Sequence, residues 1–383
     1  MTFLFAEPTQ TWLEISPAVQ TRSWEKSQQF SHPVGRWQAY LDQLCLDIFL
    51  PWLKAEYAPA AVATFPETSS PREIVAGCSL TLGNRRIVLI PTDTIDEDEL
   101  RVPREWLDLP DWSADYYLAV RVDLDEGGLV IWGWATHAQL TSQGEYDDFD
   151  RTYSLSGDEL SADTSVVWTA IELGVTEQTQ VAVSPLPEVD EVQAQNLVRR
   201  LGNPELATPR LEVPFELWGA LLESEDWRGQ IARRRRGEPI VEAQNWFSGL
   251  FDATWQSVES LFPASENLAF RFRRSAIGVV RPVRRVKQLE LGGTSVAVLV
   301  EMSPEADDRI GIRVQLHPSP GESHLPSDLS LALCSPTGAP LREIQSRARD
   351  NFIQLPRFKC ASGSYFSVRV TLEDTSEIEH FAI

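Results

Sequence analysis

In the last hundred residues, apolar side chains recur at every second position. "RIGIRVQLHP" sets Ile310, Ile312, Val314 and Leu316 between Gly311, Arg313 and Gln315. "DLSLALCSP" repeats the pattern with Leu329, Leu331 and Leu333, and "SYFSVRVTLED" with Phe366, Val368, Val370 and Leu372. Successive side chains of a strand point to opposite faces, so a period of two buries one face and wets the other. The clusters "HPSPGES" and "SPTGAP" interrupt these runs with proline and glycine. Short alternating strands so punctuated predict an antiparallel β-sandwich over residues 266–383.

The front of the chain keeps a different period. Ser16 precedes Pro17, and Pro33 opens a run in which Val34, Trp37, Leu41, Leu44, Cys45, Ile48 and Trp52 recur at steps of three and four. Those steps share one face of a helix and place Cys45 in a core. Alternation follows in Ile74, Ala76, Cys78, Leu80 and Leu82, with Gly83-Asn84 as a two-residue hairpin turn. A second hairpin carries Tyr116, Leu118, Val120, Val122 and Leu124 and turns over 125–128. Residues 1–185 thus read as helices packed on an antiparallel sheet, an α+β domain.

Between these halves, prolines 185, 187, 204, 209 and 214 surround amphipathic stretches. Val192, Leu197, Val198 and Leu201 form one, stopped by Gly202-Asn203-Pro204. Phe215, Trp218, Leu221 and Leu222 form another, and Trp246, Phe247, Leu250, Phe251, Trp255, Val258 and Leu261 predict a helix from about Val241 to Phe262. The expectation is a helical bridge over residues 186–265.

Charge narrows the function classes. The chain of 383 residues has a net charge of −22, and residues 1–185 hold 11 Lys+Arg against 29 Asp+Glu, a net of −18. Such a surface repels nucleic-acid phosphates and anionic membranes and favours basic protein partners or solubility. No apolar run is long enough to cross a bilayer, and "MTFLFAEPTQ" lacks the basic start of a leader, so a cytoplasmic protein is expected. The scattered Cys45, Cys78, Cys334 and Cys360 contain no Cys-x-x-Cys pair and indicate neither zinc nor a disulfide framework.

Reactive constellations are weak. Asp123, Asp125 and Glu126 resemble a calcium loop, but the required twelfth-position carboxylate is Trp134, which favours a hairpin turn. "TDTIDEDEL" and "EYDDFD" offer carboxylates for acid–base work or a divalent ion, yet no spacing singles out either role. No two histidines lie four apart, and no nucleophile elbow, phosphate loop or dinucleotide fingerprint occurs. No catalytic, cofactor or metal residue is therefore assigned.

Four consecutive arginines, Arg233, Arg234, Arg235 and Arg236, fall where a helix ends before Gly237 and Pro239, and cations complement the negative pole of the helix dipole there. A second basic run, Arg271, Arg273, Arg274, Arg281, Arg284, Arg285 and Lys287, has no acid from Phe270 through Leu289. Such a girdle contacts either the chain's own acidic surface or an acidic partner. The 13 tryptophans all precede the sandwich, which argues against a sugar-binding sandwich and for core packing.

The stretches "WLEISPAVQTRSWEKSQQFSHPVGRWQAYLDQLCLDIFLPWL", "NWFSGLFDATWQSVESLF" and "EIQSRARDNFIQLPRFKCASGSYFSVRV" resemble an uncharacterised cyanobacterial family of unknown function, across nearly the whole chain. The resemblance carries no catalytic residues and implies a regulatory setting, near signalling or sigma-factor genes. The expected function is a non-catalytic, cofactor-free adaptor or regulatory protein that binds another protein. Its expected contact residues are Arg233, Arg234, Arg235 and Arg236 with Asp96, Glu97, Asp98 and Glu99. The alternatives are a hydrolase using acidic-loop carboxylates and a sugar- or peptide-binding sandwich. Oligomeric state is left open by the sequence.

Overall fold

The computed structural model describes residues 10–30, 32–65, 71–94, 98–173, 179–238, 240–262, 282–305, 309–335, 338–361 and 363–383. The chain divides into two units, the first ending at Gly237 and the second beginning at Glu238. In the first, strand β1 (Thr11–Glu14) leads into helices α1 (Pro17–Ser27) and α2 (Pro33–Glu56). Ser16 and His32 cap these helices by accepting from the backbone N–H of Val19 and Val34. Pro17 and Pro33 occupy the first turn, where a missing N–H leaves nothing unpaired.

Leu41, Leu44, Cys45, Phe49 and Leu53 form the buried stripe of α2. After β2 (Val62–Ala63), they pack on Cys78, Leu80 and Leu82 of β3 (Cys78–Leu82) and on Ile87 and Leu89 of β4 (Arg85–Thr92). Each such side chain contributes about 1.5–3 kcal/mol on full burial. The predicted strand from Ile74 starts only at Cys78. Gly77 bends the chain with φ +107°, and its N–H goes to Asp42 Oδ1 instead of a neighbouring strand. The hairpin at Gly83-Asn84 forms as expected, pairing Leu82 with Arg85 and holding Gly83 at φ +63°.

The expected all-antiparallel sheet is mixed. From β4 the chain passes through β5 (Glu99–Pro103) and α3 (Glu105–Asp108) before β6 (Tyr116–Asp123), and this excursion returns it to the same sheet end, so β4 and β6 pair in parallel. β6 turns into β7 (Gly128–Thr136), with Glu126 N–H donating to Asp123 Oδ1 at 2.9 Å. Asp123 thereby serves a hairpin turn, as read from the sequence. The sheet order is β1-β7-β6-β4-β3-β2. Helix α4 (His137–Gln143) precedes β8 (Glu145–Asp147) and β9 (Thr152–Ser156), which join β5 in a small second sheet ordered β5-β9-β8. Helix α5 (Ser165–Glu172) adds Val167 and Trp168 to the α2 side.

Helices α6 (Glu191–Leu201), α7 (Phe215–Glu223) and α8 (Glu225–Arg235) do not bridge anything. Ala194, Val198, Leu201, Trp218, Leu221 and Ile231 share one core with Val88, Ile90, Tyr117, Val130 and Trp132, the other face of the main sheet. The unit is therefore layered, with helices on both faces of the sheet, because each amphipathic stripe finds an unfilled apolar face.

The second unit is a β-sandwich that recruits part of the expected bridge. Strand β10 (Ile240–Glu242) pairs in parallel with the last strand, and a 3-10 helix (Ala243–Ser248) and an irregular stretch lead to α9 (Val258–Leu261). The long helix expected over 241–262 is absent: Gly249 turns left-handed at φ +78°, and Asp252 Oδ1 accepts from Thr254 N–H to form a turn. Tertiary packing overrides the helical period here, since Trp246 and Trp255 both insert against Phe381 in the sandwich core, whereas Leu250 and Phe251 are exposed.

β11 (Val283–Leu291), β12 (Thr294–Pro304) and β13 (Arg309–Pro318) form one sheet with β16 (Ile353–Gln354) and β17 (Phe358–Ala361). The other is ordered β10-β19-β18-β14-β15, from β14 (Ser330–Cys334), β15 (Pro340–Gln345), β18 (Tyr365–Leu372) and β19 (Thr375–Ala382). Ile310, Ile312, Val314 and Leu316 meet Leu331, Leu333, Val368 and Val370 in one core, on the faces that the alternation assigns. The whole is α+β, with a C-terminal sandwich that is antiparallel except where β10 joins β19.

Candidate functional site

The sequence "PLPEV" at 185–189 sets Pro185 and Pro187 on either side of Leu186. Proline fixes φ and lacks an N–H, so this stretch stays extended and joins no sheet. Leu186 anchors it to α7 at Gly219, where any Cβ would sit 2.7 Å from both Leu109 Cδ2 and Leu186 Cδ1. Gly219 is therefore required by a close approach inside a helix. Ser224 ends α7 and caps α8, its Oγ accepting from Trp227 N–H at 3.4 Å. Trp227 lines one groove with Ala220 and Glu223 of α7.

Between this strap and the two helices lies a groove of about 430 Å³. Its walls are Pro110, Pro185, Leu186, Pro187, Val189, Ala220 and Trp227, with the carboxylates of Glu188 and Glu223 as the charged groups. Glu223 Oε1 accepts from Asp111 N–H at 3.0 Å. Burial, together with the charge of Asp111, raises the pKa of Glu223 against the hydrogen bond from Asp111 N–H and the charge of Arg228. The buried Arg228 lies 4.9 Å from the Phe65 ring centroid and donates to Leu222 O. Volume, apolar walls and a few convergent polar groups suit the groove to a side chain or short segment of another molecule.

The residues expected to contact a partner fare unequally. Arg235 is 0% exposed, donating from Nε to Glu73 Oε1 at 2.9 Å, from Nη1 to Asn203 O at 3.0 Å and from Nη2 to Leu206 O at 2.9 Å. Arg233 is 5% exposed, and Arg234 and Arg236 are half-buried. Arg233 and Arg235 are thus withdrawn from the surface, a correction to their assignment as partner-binding residues. A buried Glu73 requires a cation, and the planar guanidinium also satisfies two carbonyls beyond α6.

Asp98 and Glu99 lie with Glu145 and Glu159 around a separate cleft of about 350 Å³ beside the small sheet. Glu99 pairs with Arg101 at 3.1 Å, and Glu159 Oε2 accepts from Ser156 N–H at 3.3 Å. Asp96 and Glu97 lie outside the described residues, as do Arg271, Arg273, Arg274 and Arg281 of the second basic run. Of that run, Arg284 pairs with Glu301 at 2.6 Å and Lys287 with Glu379 at 2.5 Å. The "EYDDFD" acids Asp147 and Asp150 pair with Arg101 at 3.3 and 2.8 Å.

Two polar constellations escaped the sequence reading. Asp42, on α2, is fully buried; its Oδ1 accepts from Gly77 N–H and Gln38 Nε2, both at 3.1 Å, and its Oδ2 has no partner among the described residues. Burial pushes its pKa up to about 7. The neighbouring Cys78 thiol, against Cys45, is raised well above its usual range by burial, which makes it unreactive. In the sandwich, Ser367 Oγ and His380 Nδ1 are 2.7 Å apart, with Glu238 Oε2 at 3.7 Å from His380 Nε2. Ser367 is 3% exposed within β18, directly paired with His380. Among the described residues no cluster of three or more His, Cys, Asp or Glu is arranged to hold a metal.

The groove left little trace in the sequence because prolines, leucine and alanine carry no chemical signature. Its available signals were the Pro185/Pro187 pair and a glycine inside an apolar helix. Among the described residues no helix is long and apolar enough to cross a membrane. No curated protein and no solved structure matches the chain. A family described as a protein of unknown function (DUF1822) matches residues 13–382, and with nearly the whole chain covered, the protein belongs to the DUF1822 family.

Proposed function

We propose that this chain is a non-catalytic adaptor or regulatory protein that acts by binding another protein through its first unit. One observation carries the reading: an apolar groove of about 430 Å³ opens on a unit whose first 237 residues hold 19 Lys+Arg against 38 Asp+Glu. Apolar walls supply affinity through area removed from water, and net negative charge steers basic partners and repels nucleic acid.

The test compares affinity capture by the full chain with capture by Ala220→Trp, which fills the groove, and by Asp98→Lys/Glu99→Lys, which alters the other cleft. A partner held in stoichiometric amount by the wild type, retained by the cleft variant and lost by Ala220→Trp supports the reading. Identical partner sets for a correctly folded Ala220→Trp and the wild type refute it.

A further inference from the structure

The groove's chemistry narrows what enters it. Glu188 and Glu223 are its charged lining residues, and Asp111 stands beside Glu223. The nearby cation, Arg228, is engaged with Leu222 O and the Phe65 and Trp112 rings, 4.9 and 5.7 Å away. An acidic occupant would therefore meet like charge, and a purely apolar one would cover the carboxylates without bringing them a cation. Trp227, half-exposed in the wall, offers a ring face that attracts cations. The strap has no N–H at Pro185 or Pro187, so it cannot template a full strand ladder; recognition falls to side chains.

We infer that the groove receives a Lys or Arg side chain from an extended peptide segment of another protein, the alkyl stem lying on Leu186, Ala220 and Trp227 and the charged head between Glu188 and Glu223. The inference rests on the protein-binding reading above and specifies its partner. Long basic side chains suit such a site because their stems bury apolar area while their heads stay with polar groups. Glu223 is ready to receive the head, since Asp111 N–H already holds one carboxylate oxygen in place. A preset acceptor loses little conformational entropy on binding.

The test uses the full chain and random peptides displayed on phage, followed by anisotropy titration of selected peptides synthesised with a fluorophore. The expected selection is a Lys or Arg flanked by apolar residues. Replacing an arginine by citrulline, or a lysine by norleucine, weakens binding about tenfold, the scale of one hydrogen bond to a charged group. Glu188→Gln with Glu223→Gln weakens the basic peptide about tenfold and leaves its neutral analogue unchanged. Both positions lie at or near the surface, and an unchanged melting temperature verifies the fold. Selected peptides that Ala220→Trp abolishes but that carry no basic residue overturn the inference while leaving protein binding intact. Equal affinity of the Glu→Gln variant for the basic peptide overturns it in the same way. Failure to select any peptide overturns it too, whereas the protein-binding reading falls separately, on identical partner sets in the capture experiment.

Discussion

Replacing Asp42 by Asn should stabilise the first unit, and should do so more strongly as pH rises. The Asp42 carboxyl titrates at about 7 in the folded chain against an ordinary 3.8, because burial outweighs the hydrogen bonds from Gln38 and Gly77 and the charge of Arg72. A raised folded pKa means that the native state binds the additional proton. Its contribution to stability is intact below pH about 3.8 and is lost as pH climbs toward about 7, at about 1.4 kcal/mol per pH unit. The penalty relative to a neutral side chain is about 2 kcal/mol at about pH 5 and about 4 kcal/mol at about pH 8. Asparagine retains the acceptor for Gly77 and Gln38 and places an amide where Oδ2 lacks a partner; any cost of that buried donor is independent of pH.

Urea unfolding of the wild type and Asp42→Asn, followed by tryptophan fluorescence, reads this difference in the first unit, which holds 11 of the 13 tryptophans. The stability gap between variant and wild type should widen in favour of Asn by about 2–3 kcal/mol from about pH 5 to about pH 8. A gap that is constant across that range would show that Asp42 is charged in the folded chain and would refute the reasoning.

Arg235→Ala should lower stability by about 3–5 kcal/mol, since it leaves Glu73 buried without this cation. Arg235→Lys should rescue little of it, because a point charge cannot serve Glu73, Asn203 O and Leu206 O together; thermal melts of both variants decide this. Gly219→Ala should destabilise by about 1–3 kcal/mol despite alanine's better helix propensity, and should speed proteolysis across residues 181–190. Unchanged cleavage there would disprove the Leu186 anchor. In the sandwich, burial lowers the His317 pKa to about 4, so stability is lost as pH falls from 6.5 toward 4. His317→Gln should remove about 3 kcal/mol of that acid dependence, measured by differential scanning calorimetry of the second unit's transition.

Several elements were legible because their cause is local. The helix starts at Ser16-Pro17 and at Pro33, the Gly83 turn and the Asp123 turn each depend on residues a few positions apart. The sandwich faces follow from alternation alone. The helix expected around Trp246 failed for the opposite reason, because Trp246 and Trp255 sit at helical spacing yet each satisfies a core built by Phe381, more than a hundred residues later. Tryptophan counting likewise assigned all 13 to packing, whereas Trp12, Trp24 and Trp37 are substantially exposed. The arginine block was correctly set at a helix end, but its burial depends on Glu73, which periodicity cannot link to α8.

Local pattern alone accounts for the helix starts, the tight turns, the inward faces of the sandwich strands and the uneven distribution of charge. Those properties are set within a few residues by side-chain shape, backbone freedom and hydropathy. Tertiary structure alone decided that α6–α8 cover the second face of the main sheet, that Arg235 is an internal tie, and that Leu186 against Gly219 opens a groove beside Glu223. Each of these is a meeting of surfaces far apart in the chain, governed by which apolar face remains uncovered and which buried charge needs a partner.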